Sequence, residues 1–382
     1  MKDNIRVSTK FLGIQLFSFF INPTKWDSIG FAFPLWIIYI FLCEYEKNKG
    51  RKKLTVHFYD STIKERFSLL VWLGINIVTV MLHINESGAL KLAFYYMVGG
   101  IFFIEFIDMH LTKKEIEWII EMYITMAVMA AILLFIQRAP VKTYTNRLSV
   151  SIFGYVKDPN YFSAYLLFPC LICIYRLLYE KNKQDGIKGG LIAIAIFLTG
   201  SRSSFLALCI SVIILCFPAL KYKKRILKII FFGIIAIIII AFLLPENLAS
   251  RFLNFESYND GSNRLRSNVW TAAIAIWKSH FLFGAGQNVV YNQGINYGAY
   301  IQMMTHSTFF DILAEFGIIG FVFFIATPIN IFKEAIIKKQ ILVIAGMVGL
   351  MSTSMIISAQ YSQYYWFNLG LMSYIALSLK NK

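Results

Sequence analysis

Ile119-Ile120-Glu121-Met122-Tyr123-Ile124-Thr125-Met126-Ala127-Val128-Met129-Ala130-Ala131-Ile132-Leu133-Leu134-Phe135-Ile136 carries one charged side chain, near its start, and no glycine or proline. As a helix rising about 1.5 Å per residue, such a run approaches the roughly 30 Å of a bilayer's hydrocarbon. It reads as a membrane span, and the pattern recurs along the chain. Apolar runs lie near 7–22, 28–43, 67–84, 88–107, 117–137 and 160–179, then near 187–200, 204–220, 226–244, 306–331, 341–359 and 363–379. The first and seventh are short enough to be re-entrant. The expected fold is an all-α polytopic membrane protein of about twelve transmembrane helices, one integral membrane domain over residues 1–382.

Composition agrees. Hydrophobic residues fill 58% of the 382 positions and charged ones 15%, against about 45–50% and about 25% in soluble domains. A net charge of +16 raises nucleic acid as a partner, but the charges lie in short clusters between apolar runs, which is how topology is encoded. With twelve spans and the amino terminus inside, 26 of the 37 Lys and Arg fall on the inner side. Dropping a weak span would put basic stretch 44–66 or 221–228 outside, so twelve is the count that the positive-inside bias supports. The charged amino terminus and the lack of a small-residue cleavage site argue against a cleavable signal. Cys43, Cys170, Cys173, Cys209 and Cys216 lie in or beside apolar runs and imply no disulfide framework. Cys170 and Cys173 form a CxxC, but free cysteines in such surroundings usually pack as small hydrophobes.

This topology leaves loop 138–158, the turn at 200–203 and the large loop 245–305 on the outer face. The last is too polar for lipid and, with Phe252, Phe255, Tyr258, Trp270, Trp277, Phe281 and Phe283, too aromatic to be disordered. Asn268 to Phe281 has Val269, Trp270, Ala273, Ile274 and Trp277 at helical spacing. An amphipathic helix on the membrane surface is the expectation, with Arg264 and Arg266 just before it.

Polar residues at four places could carry chemistry. Thr199-Gly200-Ser201-Arg202-Ser203-Ser204 joins the seventh and eighth spans. There Gly200 can close one helix in a left-handed conformation, and Ser203 or Ser204 can cap the next. Free amides at that helix start, with the forked donors of Arg202, favour a phosphate or carboxylate; a tight turn whose arginine reaches headgroups has the same residues. Lys157-Asp158-Pro159-Asn160 reads as a helix start, aspartate at the cap and proline at the first position, with a substrate contact by Asp158 or Asn160 as the other reading. Arg264 and Arg266 suit bidentate phosphate contacts, although an exposed pair is usually just solvated. Gly284-Ala285-Gly286 has no third glycine and no preceding strand, so it is a turn and not a dinucleotide fingerprint.

His306 opens the tenth span, where an interfacial histidine capping a helix is the plain alternative to a functional one. Gly317 lies eleven residues on, about three helical turns, so both are expected on one face. His306 would be at the mouth and Gly317 deeper, where bare backbone lets another chain pass closely. Asp311 and Glu315 fall on a different face; carboxylates inside a span usually mark function or a buried partner. No metal-ligand pattern and no GxSxG elbow is present.

Together these residues resemble the O-antigen ligase and polysaccharide polymerase family of bacterial envelope enzymes. The resemblance rests on Asp158-Pro159-Asn160, Thr199-Gly200-Ser201-Arg202, Arg266 four before Trp270, Gly284-Ala285-Gly286, and the His306–Gly317 spacing. It implies a GT-C-like helical membrane glycosyltransferase, multi-pass in the cytoplasmic membrane, with no cofactor and no required metal. The implied substrate is an undecaprenyl-pyrophosphate-linked oligosaccharide at the outer leaflet. By the same resemblance His306, Arg266 and Arg202 would be catalytic, the arginines on the pyrophosphate and His306 at the acceptor hydroxyl or leaving group. Arg264, Asn160, Asp158, Ser201 and Trp270 are the expected substrate contacts. Expected partners are that lipid-linked oligosaccharide, membrane lipids and a chain-length-regulating co-polymerase, with no nucleic acid. Ligases often show leucine four residues after the arginine, where this chain has Trp270, so a polymerase is favoured over a ligase. A lipid-linked oligosaccharide flippase, from another class, should show charge at the membrane midplane and internal symmetry, whereas the polar residues here gather at the outer face.

Overall fold

The structure, a computed structural model, describes residues 5–21, 32–48, 56–109, 111–137, 139–140, 147–152, 155–219 and 261–378. Thirteen α-helices are named among them. They are α1 (Val7–Ile21), α2 (Ala32–Asn48), α3 (Val56–Leu82), α4 (Ala89–Asp108), α5 (Lys113–Gln137), α6 (Pro159–Tyr175) and α7 (Lys183–Leu198). There follow α8 (Arg202–Ala219), α9 (Gly261–Ser279), α10 (Val289–Gln293), α11 (Thr308–Ile337), α12 (Ile341–Ser354) and α13 (Gln363–Ser378). Each expected span except 226–244 coincides with a helix, and that one lies outside the described residues. Ala89–Asp108, Lys113–Gln137, Pro159–Glu180 and Thr308–Ile337 are long and apolar enough to cross a membrane, whereas Arg66–Leu82, Arg202–Pro218 and Ile341–Ser354 are apolar but shorter. The chain is thus a mostly helical membrane protein with four such spans among the described residues.

The described residues form two compact units. The first comprises α1, α5–α8, most of α12 and two short antiparallel ladders in the loop before α6. In these β1 (Ala139–Pro140) pairs with β2 (Leu148–Ser149) and β3 (Ser151–Ile152) with β4 (Tyr155–Val156). These ladders are the departure from an all-α fold; the loop pairs its own backbone where no helix can take it up. α6 starts as its sequence directs, with the Asp158 carboxylate accepting from the backbone N–H of Asn160 at 2.8 Å and Tyr161 at 3.3 Å, and Pro159 at the first position. α6 packs on α5, α7 and α8, and Cys170 and Cys173 are buried in it as free thiols.

The second unit comprises α2–α4, α9–α11 and α13. α11 runs along α3, and α4 packs on α2, α3 and α13. Its core is aromatic: the Trp72 ring meets Phe324 at 5.1 Å, Tyr96 at 5.2 Å, Phe316 at 5.7 Å and Trp366 at 6.0 Å.

Ion pairs follow the charge reading. Lys47 meets Glu105 at 2.6 Å and Arg66 pairs with Asp108, linking the end of α2 and the lower part of α3 to the end of α4. In the first unit Arg6 meets Glu115 at 2.7 Å and Arg176 meets Asp185 at 3.3 Å. Each pair joins segments that the positive-inside count put on one side of the membrane.

Candidate functional site

In the first unit the two polar motifs meet. Ser201 Oγ donates to Asn160 Oδ1 at 3.0 Å across 41 positions, and Ser163 Oγ donates to Ser204 Oγ at 2.7 Å. Gly200, at φ 64°, closes α7 in the left-handed conformation expected of it. Arg202, not Ser203 or Ser204, begins α8. Ser201 therefore occupies the position before the helix, and its carbonyl accepts from Phe205 N at 3.0 Å. Arg202 is half-buried in the first turn, where the helix dipole adds to its charge in favouring an anion.

Sequence reasoning missed the residue that ties this turn together. Arg147, only 9% exposed, donates from Nη2 to Asn160 Oδ1 at 2.6 Å and from Nε to the Thr199 carbonyl at 3.2 Å. One planar guanidinium thus grips both motifs, which a point charge cannot do. Its place in a loop of four basic residues gave no sign of this. Lys157, 4% exposed, has its ammonium 4.4 Å from the centre of the Tyr165 ring.

In the second unit, α9 starts at Gly261, seven residues earlier than expected, so Arg264 and Arg266 lie within the helix and not ahead of it. Arg264 is exposed and Arg266 half-buried. Of the apolar stripe expected there, Val269 and Ala273 are buried, while Trp270, Ile274 and Trp277 are half-buried. Val269, Ala272, Ala273 and Ile276 are fully buried against Ala285, Val289, Val290, Ala299 and Ala314. Ala272 and Ala273 are small and let α9 come close to Ala285 and Ala314, while Val269 and Ile276 supply apolar bulk. Asn268 fixes it further, donating to the Gly298 carbonyl at 2.9 Å and accepting from Tyr300 N at 2.7 Å.

The glycine motifs form one device. α11 is broken at Gly317, whose φ of 63° and ψ of −167° are not helical. The break frees carbonyls 314 and 315 and amides 318 and 319, and loop 281–286 takes them up. Ala285 N donates to Ala314 O at 2.9 Å, Gly286 N to Glu315 O at 3.1 Å, Ile318 N to Phe281 O at 2.9 Å and Ile319 N to Leu282 O at 3.2 Å. A Cβ on Gly284 would stand 2.4 Å from Glu315 backbone, and one on Gly317 would stand 2.4 Å from Leu282 O. Bare backbone at Gly317 does admit a close approach, by loop 281–286 of the same chain. The three-turn argument placing His306 on its face fails, because His306 precedes α11 and the helix does not continue through Gly317.

His306 is half-buried in a turn with φ 52°. Trp270 Nε1, on α9, donates to the Thr305 carbonyl at 2.9 Å, and the Trp270 ring lies 5.2 Å from Phe310. Arg266 is one helical turn before Trp270, so the two side chains are neighbours on one face. The structure thus brings the Arg266 face of α9 to the His306 turn.

Glu315 is 2% exposed and anchors the loop on the other side of the break. It accepts from Asn288 N at 2.9 Å and Tyr361 OH at 3.1 Å, and from Tyr96 OH. Burial, with Glu315 and Asp311 alongside, pushes the Tyr361 phenol well above its usual range, so it remains a donor. Of the expected substrate contacts, Asp158 caps α6, Asn160 and Ser201 bond to each other, and Trp270 holds Thr305. Arg264 is the one in the exposed part of α9.

No curated protein matches the chain. Residues 190–325, which contain the Arg202 turn, α9, both glycine motifs and His306, match the family model described as O-antigen ligase. That family covers ligases and polymerases, which are glycosyltransferase-like enzymes. The match makes residues 190–325, about a third of the chain, similar to the O-antigen ligase family.

Proposed function

We propose that this chain is a polymerase that joins undecaprenyl-pyrophosphate-linked oligosaccharide repeat units into O-antigen, capsular or exopolysaccharide. The reaction takes place at the outer leaflet of the bacterial cytoplasmic membrane. The acceptor hydroxyl oxygen bonds to the anomeric carbon of the donor sugar while the bond from that carbon to phosphate breaks. The lipid pyrophosphate leaves with the electron pair, and one displacement inverts the centre. His306 takes the hydroxyl proton, a task suited to an imidazole within reach of the acceptor. Arg266 stabilises charge gathering on the pyrophosphate by forked contacts, and Arg202, in the other unit, offers an anion contact of its own at the start of α8. Arg264 reaches the saccharide or a phosphate from the exposed start of α9.

One observation carries this reading: the 2.9 Å hydrogen bond from Trp270 to the Thr305 carbonyl. It sets a helix face bearing an anion-binding arginine against the turn bearing the histidine, which a displacement at a phosphate-linked carbon requires. The ligase reading is favoured by the description of the matched family, and Trp270, where ligases often show leucine, favours the polymerase. Purified protein with synthetic lipid-linked repeat units separates them. A ladder of lengthening glycans supports the polymerase, and transfer only to an added lipid A-core acceptor supports the ligase. Movement of intact donor across vesicles without cleavage would support a flippase and end the enzymatic reading.

A further inference from the structure

His306 is a non-glycine residue in the left-handed region, at φ 52°. That conformation is strained for a residue with a side chain and persists only where the surroundings impose it. What imposes it is an arrangement around Thr305. The Thr305 hydroxyl accepts from Ser307 N at 2.9 Å, closing a turn across His306. The same hydroxyl donates to Asp311 Oδ1 at 2.6 Å, closer than its other acceptor, Ser307 O at 2.9 Å. Asp311 Oδ2 accepts from Ser358 Oγ at 2.6 Å and Gln360 Nε2 at 3.0 Å, so both its oxygens are engaged. Thr305, Ser307 and Gln360 are wholly buried, and Ser358 and Asp311 are 2% and 3% exposed. On the opposite side the Thr305 carbonyl receives the Trp270 indole at 2.9 Å. Thr308 then fastens the following residue, donating from N to Ile357 O at 3.1 Å and accepting from Ala359 N at 2.8 Å.

We propose that Asp311 and Trp270 are positioning residues for His306, gripping Thr305 by its hydroxyl and by its carbonyl so that the histidine is held in its left-handed turn. This rests on the reading of His306 as the group that takes the acceptor proton. Neither residue is itself the base or a sugar contact. The Asp311 oxygens face Thr305, Ser358 and Gln360, and the Trp270 N–H is spent on backbone. A leucine at position 270 has no donor, so the carbonyl half of the clamp belongs to chains that, like this one, carry tryptophan there. A threonine at 305 supplies what neither valine nor alanine can, one oxygen that accepts from Ser307 and donates to Asp311.

The test uses the full-length protein, purified in detergent, with synthetic lipid-linked repeat units at varied concentration. Thr305→Val keeps the shape and removes the hydroxyl; kcat is expected to fall about 10²-fold, the scale of a misplaced catalytic group. A positioning loss of this kind should leave KM for the donor within about threefold. Thr305→Ser restores the hydroxyl and should recover most of kcat, which a purely bulk-packing role would not do. Trp270→Phe keeps the ring against Phe310 and removes only the N–H; it should lower kcat in the same sense with KM unmoved. This variant decides the matter if Thr305→Val melts below the assay temperature. Wild-type kcat in both Thr305→Val and Trp270→Phe, with His306→Ala inactive, overturns the clamp and leaves the base in place. Wild-type turnover in His306→Ala overturns the reading beneath it. A rise in KM at unchanged kcat assigns the turn to binding and also overturns the proposal.

Discussion

Gly317→Ala tests the break in α11 and the loop seated in it. At φ 63° and ψ −167° the residue occupies a region that is nearly reserved for glycine, so any side chain there costs about 1–3 kcal/mol in backbone strain alone. The added Cβ would stand 2.4 Å from Leu282 O, 2.5 Å from Leu282 C and 2.6 Å from Gly284 N. These are backbone atoms and cannot rotate away as a side-chain tip does. If loop 281–286 backs off, its hydrogen bonds to residues 314, 315, 318 and 319 open. Two buried groups left unmet add about 1–3 kcal/mol each. The loss is thus at least about 3 kcal/mol, a large part of the roughly 5–15 kcal/mol that holds a folded domain. Gly74→Ala is the control: it is exposed on α3 with nothing within 4 Å of the new Cβ, so it should gain about 0.5–1 kcal/mol from the helix interior. Thermal unfolding of both variants in detergent gives the comparison, with glycan polymerisation as a second readout. A Gly317→Ala protein that melts with the wild type would refute the broken-helix geometry.

Arg147→Lys can replace one of the two contacts to Asn160 and Thr199 but not both; Arg147→Met replaces neither and should cost about 1.5–3 kcal/mol. Melting temperatures in the order wild type, lysine, methionine are expected, and three equal values would discard the guanidinium tie. Arg202→Lys and Arg266→Lys should each sharply reduce polymer, because an ammonium lacks the bidentate fork; near-normal polymer from both removes support for the pyrophosphate role. Glu315→Gln should lower the melting temperature, since an amide N–H then faces donors from Asn288, Tyr96 or Tyr361, while kcat stays near wild type. His306→Ala should lose about 10²–10⁴ in rate, and the reverse pattern would make the carboxylate the base. Asn259→Cys should react with an impermeant thiol reagent in whole cells and Lys49→Cys should not; the opposite labelling would invert the topology.

The helices were legible because hydrocarbon leaves the backbone few options. Every apolar run of adequate length that falls within the described residues became a helix, and Asp158-Pro159 and Gly200 punctuate two of them as their side chains dictate. Less was legible in the amphipathic stripe of α9. Periodicity shows that Val269, Ala273 and their neighbours share a face; it does not say whether that face meets lipid or protein. The small size of Ala272, Ala273 and Ala285 was the available signal. Alanine contributes little to membrane insertion but lets helices approach closely, and here it lets α9 settle on Ala314.

The site was legible as a set of residues and not as an arrangement. Asn160 and Ser201 were each found by motif, yet Arg147, which holds the first by its side chain and the turn before the second by its backbone, carries no local signature. Buried arginine is recognised by partners distant in sequence, and those partners are only known once the chain is folded. The same limit applies to Gly284 and Gly317. Each reads alone as a turn or a bare patch, and their meaning lies in meeting: a positive φ in the loop lets it approach, and a positive φ in the helix opens the ladder to receive it. A regular helix through 317 would satisfy carbonyls 314 and 315 by itself and leave loop 281–286 nothing to bind. Glu315, on the residue whose carbonyl is freed, then reaches the Asn288 amide just past that loop. Backbone and side chain of Glu315 therefore hold the far end of the segment that follows α9, at Gly286 and Asn288, while the Ile318 and Ile319 amides hold its near end, and with it the helix that carries Arg266 toward His306.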